Sequence, residues 1–298
     1  MTRAWLRGGL SAAALLASGT AVAQEVPQKD DKEIVVTGVR DPEREIKDFV
    51  QAFTPGSTLG QLSRFEWAVC PMATGVGPAQ KLAVADRLRN VAKAAGVRIA
   101  GDGCAPNVLV IVTPDKRGLL EALFLKHPEY FVDLSKAERR ALVESAEPAV
   151  AWHLKGPPRS ADGKDLQYDS GPGYYVNRTT RPPSRLSFAS RPQFAAAIVV
   201  VENRALDGLT TIQLADYAAM RTLIRVDSTK LAGSTAPTIL KVLEAPMGSE
   251  IPLGLTKWDL GVLRGFYASN PNVTAASQRS EMRKRLKKEL DPAAEEKK

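Results

Sequence analysis

Two short runs of nearly unbroken apolar residues, 108–113 (VLVIVT) and 194–201 (FAAAIVVV), punctuate this chain. Their length and β-branched content predict strands covered on both faces. Around them the apolar period becomes helical. Residues 79–95 place Leu82, Ala85, Leu88, Val91 and Ala95 on one stripe, with Gly96 as the stop. Thr113 and Pro114 fit the N-cap and first position of a helix carrying Leu119, Leu120, Leu123 and Phe124, which ends before Pro128. Ser135 with Glu138, Thr210 with Gln213 and Thr256 with Asp259 read as capping boxes that open three more helices. The second of these spans about 211–224, with Ile212, Ala215, Ala219 and Leu223 on its apolar face. The third carries Trp258, Val262, Leu263 and Phe266. A last helix, roughly 277–290, has a thin stripe of Met282, Leu286 and Leu290 among many charges, and Pro292 stops it. That pattern predicts a solvated helix lying on the domain. Residues 65–70 (FEWAVC) and 97–100 predict short strands. Together these elements predict an α+β fold, a single domain over 58–292 with a small mixed sheet and packed helices, followed by a charged tail, 293–298.

The N-terminal pattern is different. Arg3 and Arg7 precede the apolar stretch 10–17 (LSAAALLA), and Ala21-Val22-Ala23 offers a small-residue cleavage site before Gln24. This is the pattern of a secretory signal over residues 1–23. The apolar stretch is too short to cross about 30 Å of hydrocarbon, and no later run reaches that length, so no transmembrane segment is expected after cleavage. Residues 24–57 are polar, Pro-containing and of mixed charge, and read as a flexible linker. Within them, residues 33–40 (EIVVTGVR) are similar to the N-terminal segment that TonB-dependent outer-membrane receptors offer to TonB. Such a segment works by adding a strand to a partner's sheet edge. A short strand or tether is the alternative, and a chain of this length with many helical patterns cannot supply a receptor barrel.

Composition narrows the chemistry. The net charge of +8 falls to +6 once Arg3 and Arg7 are removed. An exported basic protein meets anionic glycans and lipid surfaces before nucleic acid, and no nucleic-acid motif is present. Only His127, His153, Cys70 and Cys104 are available as soft ligands, which excludes iron–sulfur and multi-zinc modules. An oxidising compartment favours closure of Cys70 with Cys104, against the alternative of two buried free thiols. There is no nucleophile elbow, Walker loop or dinucleotide fingerprint. Asp133, Glu144 and Glu147 are acids without a second catalytic group beside them in sequence.

Residues 156–192 contain six prolines, four glycines and five arginines and show no helical period. Tyr168, Tyr174, Tyr175 and Phe188 alternate with Arg178, Arg181, Arg185 and Arg191. The mixture suits a hairpin that grips an anionic or sugar ligand, with Tyr174, Tyr175, Arg178 and Arg181 as the candidate ligand loop. The alternative is a solvated excursion.

The C-terminal third has a further order: Leu214-Ala215-Asp216-Tyr217-Ala218-Ala219-Met220-Arg221-Thr222-Leu223, then Asp227, then Thr238-Ile239-Leu240, then a helix from Leu255-Thr256-Lys257-Trp258-Asp259 to Phe266-Tyr267. This order resembles a family of alphaproteobacterial envelope proteins with a degenerate zincin-like, that is metallopeptidase-like, domain. The resemblance covers about residues 195–270 closely and 58–194 by element order. Zinc on such a helix needs imidazoles at i and i+4 with a Glu between them. Here Ala215 and Ala219 hold the ligand positions and Asp216 the base position. A methyl group cannot ligate zinc, so that mechanism is excluded, no cofactor is expected, and Asp216 is expected to be a surface acid. The reading is an exported, periplasmic or secreted envelope protein with a non-catalytic binding or structural role. Its expected partner is an envelope protein or an anionic glycan. An envelope hydrolase using carboxylates near 156–192, or a TonB-linked accessory protein, are the alternatives.

Overall fold

The computed structural model describes residues 41–56, 60–181, 183–246 and 248–291. The signal segment with Ala23 and Gln24, residues 33–40 and the tail 293–298 lie outside the described residues.

The sheet is built around β7 (Ser190–Glu202). Along one edge it pairs antiparallel with β4 (Ala149–Ser160), from Ala149↔Val201 to Ser160↔Ser190. Along the other edge it pairs parallel with β3 (Val108–Thr113) over Ala197–Glu202 and with the two-residue β1 (Arg64–Phe65) at Gln193–Phe194. β2 (Pro71–Thr74) extends the sheet by pairing parallel with β3. The result is a mixed five-stranded sheet in an α+β fold.

Side-chain alternation on β7 explains its unbroken apolar run. Ala197, Val199 and Val201 face the larger core, and Ile198 and Val200 face the smaller one. β3 alternates likewise: Val108, Val110 and Val112 are buried on the large-core side, and Leu109 and Ile111 are half-buried on the other. The larger core gathers α1 (Pro42–Ala52), α2 (Pro78–Ala94), α5 (Thr211–Leu223), α7 (Lys257–Ala268) and α8 (Ala275–Leu290). The smaller core packs α3 (Lys116–Lys126), a 3-10 turn at Pro128–Phe131 and α4 (Lys136–Glu144) against Val150 and Trp152 of β4. The Trp152 indole N–H donates to Tyr130 O at 2.9 Å, so the ring is buried with its polar atom satisfied.

All three capping boxes form, at Ser135/Glu138, Thr210/Gln213 and Thr256/Asp259. α8 follows its sequence stripe, with Met282 and Leu286 buried. Gly261 and Gly265 of α7 bring the two helices together: a Cβ at 265 would lie 3.3 Å from the Met282 backbone, and one at 261 would lie 2.6 Å from Leu286 Cδ1.

Several expectations need correction. The linker assigned to 24–57 contains α1, capped by Asp41, with Ile46, Phe49, Val50 and Phe53 in the core. Phe49 meets Trp258 edge-on at 5.2 Å. The i, i+3, i+4, i+7 spacing is present in the sequence but surrounded by charge, and burial against α8, α6 (Ser228–Ala232) and Trp258 makes it decisive. On α2 the stripe is rotated: Leu82 is 69% exposed, and Val84, Leu88, Val91 and Ala92 face inward. Ile212 is likewise exposed. Asp115, not Thr113, caps α3 through Gly118 N. Of 65–70 only the start is strand, and Val69 makes a single bridge to Ile99.

Cys70 and Cys104 lie at disulfide distance, Cα–Cα 6.1 Å, enclosing α2 in a 34-residue separation. A loop of that length is expected to restrict the unfolded chain by about 3–4 kcal/mol. Denaturant titration of the oxidised and reduced protein, or of Cys70→Ser/Cys104→Ser, should show a loss of this size, with m rising as the unfolded chain is released. An unchanged midpoint would remove the bridge from the stability of the fold.

Candidate functional site

α5 leaves β7 through a 3-10 turn and runs back across the sheet, opened by the Thr210 box. Ten of its thirteen residues are buried. Ala215 and Ala219 are wholly enclosed in the large core, where their small size allows the helix to approach its neighbours. Asp216 corrects its expectation: it is no surface acid but fully buried. Arg87 of α2 grips its carboxylate bidentately, Nε to Oδ1 at 2.7 Å and Nη2 to Oδ2 at 2.8 Å. Leu255 N donates to Oδ2 at 2.7 Å. Gly254 makes this approach possible, since a Cβ there would lie 2.9 Å from Oδ2. Three donors on two oxygens leave the carboxylate committed to joining α2, α5 and the 254–255 loop. Such a group is unsuited to accept a proton from substrate.

The candidate ligand loop has a partly ordered base. β5 (Gln167–Asp169) and β6 (Tyr174–Val176) form a two-stranded ribbon apart from the main sheet, inserted between β4 and β7. Tyr168 and Tyr175 pair across it with rings 5.2 Å apart, edge to face. Tyr174 is 57% and Tyr168 is 60% exposed. Arg178 and Arg181 follow in the irregular chain after β6, both exposed. The acids of this region are engaged. Asp162 accepts from Ser160 Oγ, Asp165 accepts from the Trp67 indole at 3.3 Å and pairs with Arg159, and Asp169 accepts from Gly171 N at 3.1 Å.

A third location was not singled out in the sequence. A cavity of about 370 Å³ lies between α4, the β4 edge and the C-terminal end of α5, lined by Leu134, Trp152, His153, Glu147, Arg221 and Arg225 among others. His153, expected to be structural, is part-buried and packs on Phe194 with ring centres 4.2 Å apart and planes tilted by 31°. Its Nε2 lies 2.9 Å from Thr222 O. A carbonyl only accepts, so Nε2 carries the proton and Nδ1 is the bare acceptor. Burial is the main cause that pushes its pKa down to about 3, the Thr222 hydrogen bond opposes this, and the charges of Arg225 and Arg221 add to it. Arg221 lies in the last turn of α5 and Arg225 in the extended chain just beyond it, so no helical spacing in the sequence marks the pair. His127 terminates α3 at the surface beside Glu129.

Among the described residues no group of three or more His, Cys, Asp or Glu side chains is placed to hold a metal ion. Comparison with protein-family models, curated proteins and solved structures returned no match.

Two outcomes follow. Arg87→Ala would strand a buried carboxylate and should cost about 2–4 kcal/mol in chemical denaturation, with Asp216→Asn costing less because Leu255 N keeps its acceptor. For His153 the folded pKa lies below the ordinary value near 6.5. The neutral ring therefore contributes stability that is full above about pH 6.5 and is lost as pH falls toward 3. Wild type should lose about 2–3 kcal/mol more than His153→Gln between pH 7 and pH 4. Parallel pH curves for the two proteins would contradict this.

Proposed function

We propose that this chain is an exported, non-catalytic binding protein of the bacterial cell envelope, on a scaffold related to a degenerate metallopeptidase domain, and that its aromatic ribbon holds an anionic glycan. The observation that carries the reading is the ribbon. Large rings exposed on a two-stranded element outside the core gain nothing for the fold and remain wetted apolar surface. Tyrosine rings suit the faces of sugar rings, and Arg178 and Arg181 suit carboxylates along an acidic chain.

Other observations support the reading. The strand–helix order of β7 and α5 agrees with the scaffold, and the locked Asp216 argues against proton transfer at the helix. The engaged acids of 160–171 argue against hydrolysis by the ribbon. A cysteine pair at disulfide distance and a secretory pattern over 1–23 support a periplasmic or secreted location. No helix of the described residues is long and apolar enough to cross a membrane.

Binding of the full chain to polygalacturonate, with neutral dextran as control, tests the function. Wild type should bind the polyuronate and release it as salt rises, and Tyr174→Ala/Tyr175→Ala should weaken binding about tenfold or more at unchanged melting temperature. Equal retention on dextran, or no effect of the double variant, would discard the ribbon reading. Intact mass of envelope-fraction protein should correspond to a chain beginning at Gln24. Retention of Met1 in cytoplasmic protein would discard export.

A further inference from the structure

The cavity at the C-terminal end of α5 is separate from the ribbon, and an account of its polar groups shows what it has left to offer. Its volume of about 370 Å³ falls within the usual range of small-molecule sites. Leu134, Leu142, Val150 and Trp152 give it apolar walls.

Three acids line it, and each is already engaged. Glu138 completes the α4 capping box, accepting from Ser135 N at 2.8 Å. Glu147 accepts from Ser228 Oγ at 3.3 Å and faces Arg221 at 3.9 Å. Asp227 accepts from Lys230 N at 3.2 Å and pairs with Lys230 Nζ at 3.1 Å. Arg221 is held as well, donating to Tyr217 Oη at 3.0 Å.

Two groups remain. Arg225 is exposed and forms no hydrogen bond or ion pair among the described residues; its charge acts on Glu138 and His153 only through space. His153 uses Nε2–H on the Thr222 carbonyl and keeps Nδ1 as an acceptor. One spare cation, one spare acceptor and an apolar wall specify a complementary ligand. We propose that this cavity binds a small apolar carboxylic acid carrying one hydrogen-bond donor. The carboxylate pairs with Arg225, the donor meets His153 Nδ1, and the apolar body lies against Leu134, Leu142 and Trp152. Glu138, Glu147 and Asp227, all lining the same cavity, repel any second negative charge, so a monoanion is favoured over a dianion.

N-acetyl-L-leucine has this chemistry, and its amide keeps the shape and the donors while lacking the charge. Calorimetric titration of the full chain should show the acid binding about tenfold more tightly than the amide, the size of one charge-assisted contact. Arg225→Gln changes an exposed side chain and should remove that tenfold preference while leaving amide binding as it was. Ala141→Trp, on the exposed face of α4 at the cavity rim, should obstruct both ligands. The Tyr174→Ala/Tyr175→Ala protein should bind the acid as wild type does, so the fate of the ribbon reading is scored apart from this one. No binding of the acid at about 10 mM, well into the range of weak ligands, would overturn the site. Equal affinity for acid and amide, or an acid preference that survives Arg225→Gln, would overturn the ligand class.

Discussion

β7 imposes the constraint on which the other elements depend. It is thirteen residues long and has strand neighbours along both edges, antiparallel β4 on one and parallel β3 and β1 in turn on the other. Backbone groups buried in this way must find partners within the sheet. Both faces of its C-terminal half are also buried, so Ala197–Val201 can carry no polar side chain without a hydrogen-bond partner. The strand therefore sets the positions of two cores, one on each face, and delivers the chain to α5 across the larger one. The ribbon is held at the far end, where β4 finishes and β7 starts. The cavity lies at the opposite end, beside β4 residues 150–153, which pair with Ile198–Val200 and Ala197.

Charged groups inside this frame act as ties between distant segments. Arg64 donates from Nη1 to three carbonyls at the end of α7, Phe266, Tyr267 and Ser269, at 2.9–3.3 Å. Its Nε also pairs with Glu66 at 2.8 Å, and Arg191 of β7 takes the other oxygen of the same carboxylate at 2.8 Å. Asp259, fully buried, accepts from Thr238 Oγ1 at 2.6 Å, Ile239 N at 2.9 Å and Thr256 N at 3.0 Å, joining the 239–241 turn to the start of α7. Burial pushes its carboxyl pKa up, and those hydrogen bonds pull the other way. Asp216 with Arg87 belongs to the same class. Charges buried in such pairs contribute little net energy when intact and cost several kcal/mol when one partner is lost. They define which segments meet. A catalytic carboxylate needs spare capacity, and these have none.

Much of this was legible in the chain. The strands at 108–113 and 194–201, the three capping boxes and the α8 stripe all come from local rules: side-chain period and the four unsatisfied amides of a helix start. Those signals are short in range and need no knowledge of neighbours. α1 escaped notice because its four apolar positions are interleaved with Glu43, Arg44, Glu45, Lys47 and Asp48, a composition that solvated linkers share. On α2 the stripe holds at Leu88, Val91 and Ala95 but not at Leu82, two positions before the buried Val84; both are apolar, and only packing against α5 and β2 decides which points inward.

By itself the sequence determined the two buried strands at 108–113 and 194–201, where the three helices with capping boxes begin, and that Ala215 and Ala219 cannot bind a metal, since each of these follows from side-chain chemistry within a few residues. Tertiary structure alone decided what charged and polar side chains do. Asp216 reads as an ordinary helix acid until Arg87, 129 residues earlier, closes on it. His153 is a neutral ring because burial disfavours its charge, and its tautomer is fixed because α5 ends with the Thr222 carbonyl against it. Arg225 is a distinct charge only because every acid near it has been engaged by some other donor. Desolvation and hydrogen-bond partnership are properties of a position in space, and residues far apart in sequence supply them.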